Sequence, residues 1–534
     1  MENNSATDNP LPHGKAKPKR PWRDNLEAIG IAILIAVLLK PLVIEAYQIP
    51  TPSMQPTMMG SKAAGVHDRL LVDKMRYAFT EPKRFDIAVF RYPVRRNQNY
   101  VKRIIGLPGD RLRIAGGNIY QVTEDGEVSS ILRKPDQIQR GLWKEIYPLR
   151  RTVKDDDDIL GVGHYFSGFP GKWKQEGDDL VGERKGGTKM RVSFGNLGEG
   201  GLSNQIYDGY GPDVAKAIKQ TSAREYEGVQ DARFSFVITP STAPAMLRVQ
   251  ITAKQVAKAD RRFELKVEGG KGHLTVILGG KEKLASEPFD FPVTGSEPTE
   301  ISFAHVDDRL VAWRDGEQVA ELEVGDFRML TQLEPGKSSV AMEVEGVAKV
   351  RLSSIRVERD LHWVKASLPE GHTIEVPDGH YFMLGDNTLA SADARMWKVI
   401  AAGVLDDGRM VDQKQHPEAH VIRGNKRPWA LDDPPDVDEN PVVLRRKDQV
   451  VFTDNAGEVH LLHSAISSRY GSDPQTGELR MVFQEKPLGG ATAHPWEPSE
   501  EPARFVPRKD ILGRPVLGFW PIWPFGPNRF GFIR

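Results

Sequence analysis

The sequence predicts a mainly β protein behind one N-terminal transmembrane helix, with a jelly-roll-like β-sandwich inserted into a second β domain. Three observations carry this. A lone apolar span runs from Ala28 to Ile44. Beyond it, apolar and polar residues alternate in short runs broken by Gly and Pro, which is the period of strands rather than helices. From about residue 191 to 360 such runs recur at the regular spacing of a two-sheet sandwich.

A chain of 534 residues has room for several domains, and 39% apolar with 27% charged residues suits folded ones. Lys and Arg (73) balance Asp and Glu (73), and no basic tract is interleaved with aromatics, so nucleic acid is not an expected partner. The absence of cysteine removes disulfides, thiol catalysis and cysteine-ligated zinc together.

Taken in order, residues 1–25 are rich in Asn, Pro and Lys and read as a disordered cytoplasmic tail. Residues 26–45 read as the transmembrane helix. Its apolar part would span about 26 Å of a hydrocarbon core about 30 Å thick, with Lys40 snorkelling to the far interface. Lys15, Lys17, Lys19, Arg20 and Arg23 precede it and Glu45 follows it, so the N-terminus stays in the cytoplasm and the rest is exported. A cleaved signal peptide is the rival reading, although no clear small-x-small site follows.

Residues 46–120 form the first part of the second β domain, with strands expected at Arg69–Lys74, Asp86–Phe90, Tyr100–Gly106 and Arg111–Ile114. Residues 121–190 read as a polar linker. Its acidic run, Asp155 to Asp158, lacks the spacing of a calcium loop. Residues 191–360 hold the sandwich, with strands around Phe234/Phe236/Ile238, Leu247/Val249/Ile251, Phe263/Leu265/Val267 and Leu274/Val276/Leu278. A hairpin is expected over Arg309 to Val324, turning at Asp315-Gly316. By pattern this block resembles the concanavalin-like jelly rolls of laminin-G and glycan-binding modules, which leaves a glycan or protein ligand open. Residues 361–397 return to motif-like sequence, and 398–503 read as a second insertion with strands near Val450–Thr453 and Met481–Gln484. Residues 504–534 end in Phe519, Trp520, Trp523, Phe525, Phe530 and Phe532 among prolines, which forbid a second spanning helix. These aromatics either close a core or lie at the lipid headgroups.

A serine hydroxyl needs a base before it can attack a carbonyl. No Gly-x-Ser-x-Gly elbow is present, and no histidine sits in an evident triad. A lysine held neutral is the remaining common activator. Lys102, in the apolar run Val101 to Ile105, is the best-placed candidate, set against the plain reading of a strand-edge lysine in water. Working near pH 8 would require its pKa to fall by about 2.4, at a cost of about 3.3 kcal/mol. The candidate nucleophile, Ser53, lies a few residues beyond the apolar span, so it would act beside the bilayer.

Four stretches then fall in an informative order: Ile49-Pro50-Thr51-Pro52-Ser53-Met54-Gln55-Pro56-Thr57-Met58, Asp68 to Lys74, Lys102 to Asp110, and Gly385-Asp386-Asn387 with Ser391-Ala392-Asp393-Ala394-Arg395. They resemble the successive boxes of bacterial signal peptidase I (leader peptidase), and Val506 to Arg514 is similar to that family's closing strand. The resemblance implies a serine endopeptidase with a Ser/Lys dyad that removes signal peptides from exported preproteins, preferring small residues one and three positions before the cut. It implies Ser53 as nucleophile, Lys102 as general base, and the Thr51 hydroxyl with the Ser53 N–H as oxyanion hole. Ser391 would orient the lysine by a hydrogen bond, Asp393 and Arg395 would form a structural ion pair, Asp386 would support the site, and Met54 would pack beside the nucleophile. No cofactor or metal is implied. The partners are exported preproteins and membrane lipid, and the location is the cytoplasmic (inner) membrane, single-pass, with the catalytic domain outside.

Two departures stand out. Pro52 replaces a small residue, and Thr388-Leu389-Ala390 replaces a more polar stretch, which is expected to leave Arg395 with fewer partners. A different class of reading is a surface glycan- or protein-binding module on a degenerate peptidase scaffold, against which stand the intact Ser53, Lys102 and Ser391. His416 and His420 are separated by Pro417 with no third ligand, and His460 and His463 would face opposite sides of a strand, so none reads as a metal site.

Overall fold

The computed structural model describes residues 25–26, 28–31, 43–55, 57–61, 65–147, 166–169, 172–184, 189–194, 228–253, 260–325, 338–406, 408, 410–411, 413–414, 416–424, 449–456, 458–463, 466–472, 479–485, 495–496, 499–520 and 531–533. Nearly all of the regular structure in these residues is β.

Seven strands build the sheet that carries the site: β1 (Ile44–Gln48), β2 (Arg69–Asp73), β3 (Ile87–Tyr92), β4 (Arg95–Gly106), β5 (His380–Leu384), β6 (Phe505–Pro507) and β7 (Ile511–Trp520). Their order is β1-β2-β7-β3-β4-β5-β6, and Gly531–Phe532 adds a short strand beside β7. Residues far apart in sequence are thus neighbours in one ladder, with Ala88 opposite Lys102 and Leu384 opposite Arg103. Phe90, Ile104, Phe382 and Val506 pack under the sheet with Trp363 and Trp397. A smaller sheet orders Ile374–Glu375, Arg111–Ala115, Asn118–Val122 and Val128–Ile131.

Two eight-stranded antiparallel sheets face each other in the inserted sandwich. One has Ala232–Pro240, Thr299–Val306 and Lys349–Arg359 near its middle, the other Met246–Ala253, Arg261–Glu268 and Ser339–Glu345. Their inward residues share a single core, in which Phe234, Phe303 and Leu352 meet Phe194, Val249 and Met342. The 309–323 hairpin turns at Asp315 (φ 51°) and Gly316 (φ 83°), the two positive values a tight hairpin needs.

Several boundaries differ from the sequence reading. The sandwich gathers strands from Lys144–Tyr147 onward, including Lys172–Glu176 and Asp179–Glu183, so much of 121–190 is sheet rather than linker. Its polarity misled because strands there lie near sheet edges, where one face stays wet. At the N-terminus, residues 28–31 are helical but 32–42 lie outside the described residues. Among the described residues no helix is long and apolar enough to cross a membrane. Ile44 and Glu45 belong to β1, so the expected helix end at 45 is too late; pairing with Asp73 and Val72 captures both residues. The acidic run at 155–158 and the aromatics Trp523, Phe525 and Phe530 also lie outside the described residues.

The chain between the two β units is held by a buried charge cluster. Lys134 donates to Asp307 at 2.5 Å and lies 2.8 Å from Asp360, all three buried. Burial would lower its amine, but those two carboxylates outweigh it and keep the pKa above the ordinary lysine value. Nearby, Trp363 N–H donates to the Gly117 carbonyl at 3.1 Å. Replacing Lys134 by Met would leave two carboxylates buried without their cation. Lys134→Met is therefore expected to destabilise the sandwich by about 3–5 kcal/mol, read as a lower denaturation midpoint by tryptophan fluorescence.

Candidate active site

The turn that carries Ser53 follows β1. Pro52–Met54 is one turn of 3-10 helix whose first residue is proline, where a missing N–H costs nothing and the fixed φ helps. Gln55 N–H closes the turn on the Pro52 carbonyl at 3.0 Å. Met54, fully buried with Ile49, Met58, Leu70 and Ile87, pins the turn to the protein. Gly60 lies against the turn so closely that a Cβ there would come within 2.4 Å of the Ile49 carbonyl oxygen and 2.7 Å of that of Thr51.

Lys102 lies on β4, and its Nζ is 2.5 Å from Ser53 Oγ, with both residues buried. The amine also lies 5.5 Å from the centre of the Tyr100 ring. Thr51 Oγ1 is 3.4 Å from Ser53 Oγ on the exposed side. Burial pushes the Lys102 amine down to about 8, against the raising fields of Asp393 and Asp386 and with a lowering one from Arg395.

Those carboxylates are already committed elsewhere. Arg395 holds Asp393 through Nε (2.8 Å) and Nη2 (2.6 Å), both side chains fully buried. Burial would raise the Asp393 carboxyl, but Arg395 and the Gly385 N–H outweigh it and keep it below the usual carboxylate range. Asp386 receives a two-pronged contact from Arg103 (2.8 and 2.6 Å) and the Thr57 hydroxyl at 2.5 Å.

Two expectations need correcting. The Ser391 hydroxyl is buried with no hydrogen-bond partner among the described residues, so it does not bond to Lys102. The amine's hydrogen bond goes to Ser53 instead, while Ser391 Oγ lies 2.1 Å from where a Gly385 Cβ would sit. Nor is Arg395 short of partners. Thr388 offers it a hydroxyl at 2.9 Å and a carbonyl at 3.0 Å, and Val364 a carbonyl at 2.5 Å. Backbone acceptors here do the work of the missing polar side chains.

Three contributors were not singled out from sequence. Asn387 clamps the Ser53 turn, its N–H reaching the Ser53 carbonyl (3.2 Å) and its side-chain amide the Pro52 carbonyl (3.0 Å). Arg103 and Thr57 converge on Asp386. All three lie inside the motif stretches read from the sequence, where no role is assigned to them. The histidines lie elsewhere: His416 contacts Glu418, His420 contacts Asp406, and His460 contacts Asp454.

The family model for signal peptidase, peptidase S26, matches residues 22–166 and 337–414. Signal peptidase I of Leptolyngbya laminosa is 32% identical over 148 residues, covering 25% of this chain and 70% of that protein. The Pseudomonas aeruginosa signal peptidase I is 38% identical over 159 residues (25% and 54%), and the probable signal peptidase I-2 of Synechocystis is 33% identical over 111 residues (20% and 48%). The chain therefore belongs to the signal peptidase I family and is a hydrolase of the S26 peptidase class. It spans only about half the length of several of these curated relatives. Among solved structures, carbohydrate-binding module CBM66 from Bacillus subtilis matches 36% of this chain and 95% of its own, at 9% identity and a TM-score of 0.22.

A buried lysine with a lowered pKa has a stability signature. The unfolded chain, with lysine near 10.4, binds the proton more readily than the folded one, with its value near 8. Folding stability should therefore rise with pH between these values. Lys102→Met is expected to be the more stable protein below pH 8, by about 3 kcal/mol, with the gain fading as pH climbs past 8 toward 10.4; denaturant unfolding across that range measures it.

Proposed function

We propose that the chain is a membrane-anchored serine endopeptidase that removes signal peptides from exported preproteins with a Ser53/Lys102 dyad. The observation that carries this reading is the 2.5 Å approach of a buried, easily deprotonated amine to a buried hydroxyl, in a chain of the signal peptidase I family. Neutral Lys102 takes the Ser53 proton as Oγ attacks the scissile carbonyl, and a tetrahedral oxyanion forms. The Ser53 N–H and Thr51 hydroxyl receive that charge. Collapse breaks the C–N bond, Lys102 returns the proton to the leaving amine, and an acyl-enzyme remains on Ser53. Water, deprotonated by the same amine, repeats the attack and frees Ser53.

Asp393/Arg395 and Asp386/Arg103 act as positioning pairs. Each ion pair fixes the floor without leaving a bare carboxylate to hold Lys102 charged. The apolar residues from Ala28 and the cationic flank before them support a single-pass anchor in the cytoplasmic membrane, N-terminus inside, with the catalytic unit outside. The catalytic unit is read as discontinuous, interrupted by the sandwich and by the second insertion.

Ser53→Ala and Lys102→Ala are each expected to abolish cleavage of a purified preprotein while leaving membrane extraction and the folded-state circular dichroism unchanged; normal processing by either would remove the assignment. The active form carries a neutral amine, so kcat/KM should rise with pH and level off above about 8. Thr51→Val is expected to lower kcat by about 10²-fold with little change in KM, because one oxyanion donor is lost, whereas Thr51→Ser should retain most activity in the same assay.

A further inference from the structure

The sandwich sheet that holds Ala232–Pro240 keeps its large apolar residues inward, yet its outward side is built unlike a plain solvent face. The register places Arg356, Ser235, Ser302, Trp313 and Gln318 side by side across five successive strands. At about 4.8 Å per strand this row is about 19 Å long. The two serines in its middle are small and meet Oγ to Oγ at 2.7 Å, so the row sinks into a trough between larger neighbours.

Two adjoining cavities, of about 260 and 90 Å³, open along it and share Arg140, Arg233 and Trp313 as walls. Trp143, following the short helix Asp136–Leu142, lies against one end, and Arg233 rests 4.8 Å over its ring. Trp143 and Trp313 also roof an outward apolar patch of Ala304, Val306 and Val311.

Charge on the walls is nearly balanced: of four arginines (140, 233, 309 and 356), Arg233 is 2.6 Å from Glu358 and Arg309 is 3.3 Å from Glu321, and Asp136 and Glu300 also line the cavities. Glu300 is 3.3 Å from Arg356, and Asp136 is 3.7 Å from Arg309. Arg140 is exposed and has no ion-pair partner among the described residues. The backbone of Ala232–Pro240 and Thr299–Val306 is paired on both sides, so a peptide could not be read here by strand addition. Recognition has to come from side chains: an indole face, hydroxyls, an amide and guanidinium groups.

We propose that this trough binds an acidic saccharide chain, laid across the strands. The apolar face of a sugar ring would stack on Trp313, ring hydroxyls would exchange hydrogen bonds with Ser302 and Gln318, and a carboxylate would meet Arg140. Two flat aromatic surfaces plus a few convergent polar groups are the usual furniture of a small-ligand site. Arg140, left without a carboxylate among the described residues, selects the acidic over the neutral sugar.

Calorimetric titration of the full-length protein in detergent micelles tests this, using a galacturonate hexamer, a neutral glucose hexamer of equal length, and hexaglutamate. The galacturonate hexamer should bind, the glucose hexamer and hexaglutamate at least ten-fold more weakly, and added salt should weaken the first. Trp313→Ala and Arg140→Gln should each raise its dissociation constant at least ten-fold. Arg140 is exposed, so Arg140→Gln keeps the test valid if Trp313→Ala fails to fold, and equal thermal unfolding of variant and wild type verifies it. Absence of galacturonate binding at millimolar concentration, hexaglutamate binding as tightly, or an affinity unchanged by Arg140→Gln would each overturn the proposal.

Discussion

Everything at the candidate site depends on keeping one amine out of water. Lys102 has 2% exposure, and desolvation, helped by the field of Arg395, brings its pKa to about 8 although two carboxylates pull the other way. If either carboxylate stood bare beside it, the charged amine would regain much of what burial took away. Arg395 and Arg103 prevent this by holding Asp393 and Asp386 in fully buried pairs. The arginines therefore matter less as sources of stability than as sinks for negative charge. Such pairs seldom outdo a well-packed apolar replacement in stability, but an apolar replacement would leave the floor without its fixed dipoles.

The sheet that carries Lys102 tolerates two large interruptions because neither falls within a strand. The chain leaves after the Asn118–Ile131 hairpin and returns near Trp363, where the contact with Gly117 ties the two passages together. Lys134 and its carboxylates fasten the sandwich at the same junction. Gly117, at φ 90°, has the His362 ring so near that a Cβ would lie 2.3 Å from Nδ1, so only glycine fits there.

Much of this was legible in the sequence, and the gaps have physical reasons. Lys102 and Ser53 stood out because a lysine in an apolar strand and a serine just past an apolar span are each odd alone. The Asp315-Gly316 hairpin could be read because its backbone demands are local. Asn387 could not, since its role depends on a turn more than three hundred residues away in the chain. The Arg395 environment was misjudged for a related reason: side chains were counted, while the partners proved largely to be backbone carbonyls. The start of the sandwich was placed late because polar, charged strands at a sheet margin lack the apolar alternation that marks central ones. Residues 32–42, which the anchor needs, are outside the described part, so that element rests on composition and flanking charge.

The position of β7 has a consequence for how the molecule is made. Ile511–Trp520 lies between β2 and β3, in the interior of the sheet that opens near residue 44. As the ribosome delivers the chain, the first strands emerge with a vacant slot between them and must wait until residues 511–520 are made before it is filled. Domains usually fold as units in the order of synthesis, so the sandwich can mature while the sheet that carries Lys102 is still open. A newborn chain would thus hold Ser53 and Lys102 in an unfinished sheet until Ile511–Trp520 docks.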